Sequence, residues 1–134
     1  MIPAGFFKAW AGTAIFILAI DAVWLGLVAK GFYRSQLGEL MLASPRLSIA
    51  ALFYVMYSAA VVILASAPAA RSGSLSDALL LGAILGFAAY GTYDITNLAT
   101  LKNWPAVMSL VDMAWGTVLT AFAAAAGYWL LRST

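Results

Sequence analysis

The sequence contains no cysteine and no histidine, and only 9% of its 134 residues are charged. Without cysteine there is no disulfide and no thiolate chemistry. Without histidine the chain lacks the commonest ligand of haem, zinc, copper and di-iron centres. A retinal-type Schiff base needs a lysine deep in a membrane span, and Lys8, Lys30 and Lys102 lie at the ends of apolar runs. We therefore expect no cofactor and no metal site.

The shortage of charge also indicates the class of protein. A soluble domain carries roughly 25% charged residues, whereas 65% of this chain is hydrophobic. Such a chain cannot coat a water-exposed surface, so we expect an integral membrane protein surrounded by membrane lipids. The net charge of +2 is small and scattered, so we expect no nucleic-acid partner.

Four apolar runs are long enough to cross a bilayer, which takes a helix of about 20 residues. They cover about 6–29, 46–67, 78–100 and 105–131. Short connections make consecutive helices antiparallel, which predicts an all-α, integral membrane, up-down four-helix bundle in a single domain, 1–134. The first run holds an acid and lacks a small-residue cleavage site before Lys30, so we expect it to be retained rather than removed as a signal peptide.

Two connections carry signals of their own. The segment 30–45 alternates apolar and polar residues, which fits either a short helix lying in the membrane interface or an ordinary loop. The segment 68–76 is rich in alanine, serine, glycine and proline and is predicted to be a turn. At its end, Ser74 has the spacing of a helix cap with Asp77, and this pair opens the third span.

The third run carries a polar stripe along one helical face. Its members recur at helical spacing, with Tyr93 beside them: Gly82, Gly86, Tyr90, Asp94 and Asn97. The glycines allow another helix to approach closely. An aspartate that faces lipid is costly, so this stripe should face protein or a water-filled cavity.

Acidic residues of three different spans fall at one depth. We call side B the end of the bundle that holds connections 30–45 and 101–105, and side A the end that holds both termini. At 1.5 Å per residue, Asp21, Asp94 and Asp112 each lie roughly 9–12 Å from side B. Tyr54 of the second span falls at the same level. We expect these residues, with Tyr57 and Asn97, to point inward and to converge on one cavity.

This layer is the candidate ligand- or proton-binding site. Acids that meet in a low dielectric can hold protons, bind a cationic group or coordinate a hard cation such as Mg²⁺, and aromatic side chains suit an organic cation. The candidate residues are Asp21, Trp24, Tyr54, Tyr57, Tyr90, Tyr93, Asp94, Asn97, Asp112 and Trp115. The plainer alternative is that these polar groups tie helices together, as a bond from Tyr54 to Asp94 or from Trp24 to Asp112 would.

Three segments also carry a family resemblance. The runs IDAVWLGLVAKGFYRSQLG, YGTYDITNLATLKNWP and LVDMAWGTVL resemble a bacterial family of predicted four-helix membrane proteins, domain of unknown function 2177. The resemblance covers nearly the whole chain, and the middle segment is the most specific. It implies a small, multi-pass protein of the bacterial inner membrane. It implies no activity, so no residue takes a role from it.

Three functions fit these features. The preferred one is a proton- or cation-linked small-molecule transporter, because four spans, an acid in the first helix and surrounding aromatics resemble small multidrug resistance transporters in outline. The second is a membrane-embedded lipid-binding or lipid-modifying protein, with basic residues near side B attracting anionic headgroups. The third is a subunit or assembly factor of a larger membrane complex. No catalytic residue stands out, so enzymatic activity stays open.

Membrane orientation is only weakly determined by the positive residues. Side B carries Lys30, Arg34, Arg46 and Lys102, and side A carries Lys8, Arg71, Arg132 and the amino terminus. The positive-inside rule thus favours side B in the cytoplasm by a small margin. The near-balance also permits insertion in both orientations, which would let protomers pair head to tail as a homodimer.

Reporter fusions test this orientation. Alkaline phosphatase and a fluorescent protein are each fused to the C-terminus, and we expect phosphatase activity because the positive-inside rule places side A outside. Activity of both reporters would show dual insertion. Fluorescence alone would contradict both the preferred orientation and dual insertion.

Overall fold

The computed structural model describes residues 2–134, which form helices and short connections. The elements in chain order are α1 (Phe6–Val23) with a π-helical turn (Trp24–Val28), α2 (Phe32–Leu37) with a 3₁₀ turn (Gly38–Leu40), α3 (Leu47–Val61) with a second π-helical turn (Val62–Ser66), α4 (Ala67–Ser72), α5 (Leu75–Thr100) and α6 (Ala106–Arg132). The connection after the first span therefore contains a short helix and is not an ordinary loop; its position in the membrane interface stays a prediction.

Four continuous helical spans are long and apolar enough to cross a membrane: Phe6–Val28, Leu47–Ser72, α5 and α6. The all-α, four-helix prediction is confirmed. Large apolar side chains cover the outside of the bundle, such as Leu27, which is 78% exposed, and Leu110, which is 70% exposed. Since no water-soluble monomer tolerates so much exposed apolar surface, the outer face is suited to lipid.

The turn predicted to begin at Pro68 is wrong, because the second span stays helical through Ser72. Proline normally breaks a helix, since it lacks an N–H and its ring clashes with the carbonyl four residues earlier. Here the wider π-helical turn Val62–Ser66 directly precedes it and loosens that part of the hydrogen-bond ladder. The chain turns only at Gly73, which has a φ of 73°. The predicted cap is present, with the Ser74 hydroxyl accepting from the Asp77 backbone N–H at 3.1 Å.

Helix α6 is the centre of the bundle, and its contact with α5 is the most extensive between any two helices of the described chain. Two glycines of α5 make that contact possible. A Cβ on Gly82 would lie 2.6 Å from the backbone oxygen of Thr120, and one on Gly86 would lie 2.3 Å from that of Gly116. The glycine stripe predicted from the sequence thus faces α6 backbone to backbone.

The two ends of the bundle are packed differently. Toward side A, small side chains bring the second span against α6, and the buried Ser66 hydroxyl donates to the carbonyl of Ala124 at 2.9 Å. Toward side B, every residue from 47 to 53 is exposed, so the first part of α3 stands apart from the other spans. This separation leaves room for a cavity in the side-B half.

A methyl group added at the α5–α6 contact tests how tightly these helices are packed. Gly86→Ala should lower the melting temperature in detergent, because overpacking costs about 1–3 kcal/mol when backbone atoms must move. Gly26→Ala is the matched control, since a Cβ there meets nothing within 4 Å. Differential scanning fluorimetry measures both variants. Equal melting temperatures would contradict the close approach.

Candidate functional site

A cavity of about 730 Å³ occupies the side-B half, between all four spans and the connection that follows the first. Its apolar lining is Leu25, Met41, Leu42, Pro45, Ile49, Ala50, Phe53 and Ala89. Its polar and aromatic lining is Asp21, Trp24, Tyr33, Arg46, Tyr54, Tyr90, Tyr93, Asp112 and Trp115. Seven of the ten predicted site residues therefore lie in its wall: Asp21, Trp24, Tyr54, Tyr90, Tyr93, Asp112 and Trp115.

Asp21 is the deeper-buried of the two acids that line the cavity, with 7% of its surface exposed. One of its carboxylate oxygens accepts a hydrogen bond from the hydroxyl of Tyr54. The other accepts from the indole Nε1 of Trp115 at 2.9 Å. Helices α1, α3 and α6 therefore meet at this one carboxylate.

Asp112 is half-buried and is connected to the first span through Tyr33 of α2. The Tyr33 hydroxyl donates to Asp112 Oδ1 at 2.9 Å and accepts from Trp24 Nε1 at 3.0 Å. Burial raises the pKa of the Tyr33 phenol, so this group keeps its proton and stays a donor. Helix α2 is thereby anchored over the cavity by a chain of two hydrogen bonds.

Two stacked indoles join these networks. The rings of Trp24 and Trp115 lie 4.3 Å apart at an angle of 7°. Because Trp24 bonds toward Asp112 and Trp115 bonds to Asp21, the stack places both acids around one aromatic pair. The two stacked rings therefore form a flat aromatic part of the cavity wall, with the two carboxylates at its edges.

Tyr90 and Tyr57 lie at the inner end of the site. Tyr90 lines the cavity and packs so closely on α6 that a Cβ at Gly116 would lie 2.1 Å from its ring. Tyr57 is buried and is not part of the cavity wall. Its hydroxyl shares a 2.7 Å hydrogen bond with Thr120, and its ring stacks on Phe53 at 5.1 Å.

We expected six residues to converge on the cavity: Asp21, Tyr54, Tyr57, Asp94, Asn97 and Asp112. Three of them, Tyr57, Asp94 and Asn97, are not in its wall. Asp94 is fully buried, and Asn97 is half-buried on the same helix. The prediction used depth along each helix, and depth does not determine the direction in which a side chain points. Tyr93 does line the cavity, but it is 52% exposed and its ring meets Trp104 edge-on at 5.5 Å.

Both example pairings of the plainer alternative are wrong in detail. Tyr54 donates to Asp21 rather than to Asp94. Trp24 reaches Asp112 only through the hydroxyl of Tyr33. The principle behind the alternative remains correct, since polar bonds do tie the spans together near side B.

Sequence reasoning missed Tyr33 and Arg46, both of which line the cavity. Tyr33 lies in the connection 30–45, and nothing in the sequence tells how that connection folds back over the bundle. The signal that could have identified Tyr33 is a phenol in a polar segment next to a span that carries an acid. Arg46 directly precedes α3. It lines the cavity because the first part of α3 stands apart from the other spans, and the sequence does not show this separation.

The arrangement suits binding of positive charge more than coordination of metal. Every donor to Asp21 and Asp112 is an uncharged hydroxyl or indole N–H. Within residues 2–134, no group of three or more acidic side chains is placed to hold a metal ion. None of these bonds therefore brings a positive charge to the two carboxyl groups, which lie next to aromatic faces.

Comparison with known proteins identifies a family. A family model described as a predicted membrane protein, DUF2177, matches residues 6–129. No curated protein and no solved structure matches the chain significantly.

Removal of one hydroxyl tests the anchoring of α2. Tyr33→Phe takes away the donor to Asp112 and the acceptor of Trp24, and a hydrogen bond to a charged group contributes about 1.5–3 kcal/mol. We therefore expect α2 to loosen and trypsin to cut faster after the exposed Arg34. Tyr93→Phe removes the same atom from the same cavity without breaking a hydrogen bond, and its cleavage rate should match the unchanged protein. Equal rates for both variants would contradict the anchoring role.

Proposed function

Since the chain belongs to the DUF2177 family of predicted membrane proteins, a family of unknown function, we propose a function from its cavity. The cavity binds a small lipophilic cation, as the substrate site of a proton- or cation-linked transporter in the bacterial inner membrane. The observation that carries this proposal is the pair Asp21 and Asp112, whose hydrogen-bond donors are all neutral and which flank stacked indoles.

Charge supports a cationic ligand. A carboxylate in a low dielectric is stabilised far more by a positive partner than by neutral donors. Arg46 also lines the cavity, but it lies at the start of α3, about 12 Å nearer side B than Tyr54 at 1.5 Å per residue. The positive charge that complements the deep acids therefore has to come from a ligand.

The order of the lining along the membrane normal supports a lipophilic molecule. Apart from Tyr33 and Arg46, the lining residues near side B are apolar, namely Met41, Leu42, Pro45 and Ile49. The acids and indoles lie deeper, at roughly 6–15 Å from side B. A phospholipid has the opposite order, with its polar head outermost. A compact cation whose charge is covered by apolar groups fits this order better.

The cavity is accessible from the bilayer. Three of its lining residues belong to three different spans and are themselves largely exposed: Leu25 at 47%, Ile49 at 60% and Tyr93 at 52%. A ligand dissolved in the membrane can therefore enter sideways past the first half of α3. This route favours substrates that partition into lipid before they bind.

Transport also requires an opening toward side A, which the packed half of the bundle closes. The bond between Tyr57 and Thr120 and that between Ser66 and Ala124 lie on the closed side. The π-helical turn Val62–Ser66 lies within the packed half of the second span, which begins at Tyr57. Since π-helical turns often mark functional sites, this turn is the hinge about which the second span would move.

Lipid binding is the second candidate, because one observation favours it. Arg46 at the outer edge and the largely apolar lining fit an anionic headgroup with an acyl chain. Native mass spectrometry decides between the two: an anionic phospholipid retained by the unchanged protein and lost in Arg46→Gln would favour this candidate. The roles of complex subunit and of homodimer stay predictions.

Calorimetric titration with tetraphenylphosphonium tests the proposal. The purified protein should bind this cation saturably, and Asp21→Asn and Asp112→Asn should each bind it at least about tenfold more weakly, because loss of one member of a buried charge pair costs 2–5 kcal/mol. In Asp112→Asn the amide oxygen can still accept from the Tyr33 hydroxyl. In Asp21→Asn the amide oxygen can accept from the Trp115 indole while the amide N–H donates to the Tyr54 hydroxyl, so these groups keep their partners.

Two controls separate charge recognition from simple partitioning. Glu39→Gln removes an exposed acid near the same side and should bind as the unchanged protein does. Tetraphenylborate has nearly the same shape and the opposite charge, and should bind more weakly. Equal affinity of both Asp variants and the unchanged protein, or a preference for the anion, would overturn the proposal.

A further inference from the structure

The third acid of the layer, Asp94, lies in surroundings unlike those of the other two. It is completely buried, with 0% of its surface exposed. Both of its carboxyl oxygens are inaccessible and make no hydrogen bond within residues 2–134. Asp21 and Asp112 each have at least one donor. Asp94 is thus a buried acid whose hydrogen-bonding needs the rest of the chain does not meet.

The register of the α5–α6 pair places this acid. Gly82 lies against Thr120 and Gly91 lies against Met113, so the antiparallel pairing puts Asp94 opposite the α6 turn at 109–113. This turn offers no free donor, because the Ser109 hydroxyl donates to the carbonyl of Pro105 at 2.8 Å and accepts from Trp104. Met108 and Met113 on the same helix are buried and apolar.

The titratable groups that face Asp94 are few. On this half of α6 the titratable residue is Asp112, which lies on the turn opposite Asp94. On α5 itself, Tyr93 is the adjacent residue. Neither supplies a positive charge. An ionised Asp94 would be a buried charge without a partner and next to a second carboxylate, so the form that carries a proton is favoured.

We propose that Asp94 is a proton-binding site that is coupled to the cavity through Asp112. When a cation binds beside Asp112, one proton leaves Asp94, and when the cation leaves, the proton returns. This inference rests on the proposed function and names its coupling ion. One positive charge enters the layer as one leaves, so the net charge buried in the membrane stays constant.

Geometry also gives the path. Asp112 is half-buried and lines the cavity, whereas Asp94 does not. A proton that leaves Asp94 therefore passes the carboxylate of Asp112 and enters the cavity at side B. Exchange occurs on the side from which the ligand site is accessible, as expected if proton and cation compete for the same pair of carboxyls.

Infrared spectroscopy tests the proton site without any ligand. The protein in lipid should show the band of a protonated carboxyl at neutral pH that shifts in deuterated water and is absent in Asp94→Asn. Asp77→Asn, on the first turn of the same helix, is the control and should keep the band. A band that persists unchanged in Asp94→Asn would overturn the assignment.

Proton release tests the coupling. Added to the protein in weakly buffered solution, tetraphenylphosphonium should release up to about one proton per bound cation, and its affinity should rise by up to about tenfold per pH unit, as linkage requires. Both effects should vanish in Asp94→Asn and persist in Asp77→Asn. Asparagine can still form hydrogen bonds. If Asp94 had only a structural role, cation binding by Asp94→Asn would therefore depend on pH as it does in the unchanged protein.

The outcomes separate this inference from the function on which it rests. Cation binding that requires Asp21 and Asp112 but releases no proton overturns the coupling and leaves the proposed function intact. Absence of cation binding overturns the proposed function and the coupling together. In that case the infrared band still decides whether Asp94 holds a proton.

Discussion

A carboxylate inside a membrane must obtain its hydrogen bonds from protein, because hydrocarbon offers none. The side-B half of this bundle is organised by that requirement. Asp21 draws donors from α3 and α6, and Asp112 draws one from α2, which is in turn bonded to the first span. Residues 47–53 are exposed, and the bond from the Tyr54 hydroxyl to Asp21 ties this half of α3 to the acids. The same bonds that satisfy the charges therefore set the width of the cavity.

The side-A half is built on the opposite principle. Glycine, alanine, serine and threonine allow backbones to approach closely, and a Cβ on Gly127 would lie 2.4 Å from the hydroxyl oxygen of Ser66. Contacts of this kind leave no room for a ligand, but they fix α6 against the other spans. Because α6 carries both Asp112 and Trp115, a rigid side-A half positions the ligand-facing side of the cavity. In the proposed transport cycle the second span is the element that moves, with its π-helical turn as the hinge.

The sequence was most informative where a single helix decides the outcome. Run length and the absence of charge predicted four spans, and the 3.6-residue period predicted that Gly82 and Gly86 face another helix. Depth along each helix follows from counting residues. It placed Asp21, Tyr54 and Asp112 at one level, and the structure joins them in one cavity wall.

The direction of each side chain around its helix depends on how the spans pack, so Tyr57, Asp94 and Asn97 were placed in the wrong wall. The role of Tyr33 was invisible because it depends on how a connection folds back. Pro68 was misread because nothing in this sequence indicated the π-helical turn that precedes it.

The acids can be interpreted as structural ties or as a ligand site. For two of the three, Asp21 and Asp112, the two interpretations are compatible. A carboxylate offers about four lone-pair sites, and Asp21 uses one on each oxygen for Tyr54 and Trp115. Capacity for a cationic ligand therefore remains while the ties are intact. Asp94 is different, since neither of its carboxyl oxygens accepts a hydrogen bond from a hydroxyl or an N–H group of residues 2–134. Its burial lowers stability unless the group is neutral, and an apolar residue would pack between α5 and α6 without that cost. Ties made by neutral donors thus account for Asp21 and Asp112, whereas the burial of Asp94 is accounted for by the proton site proposed above.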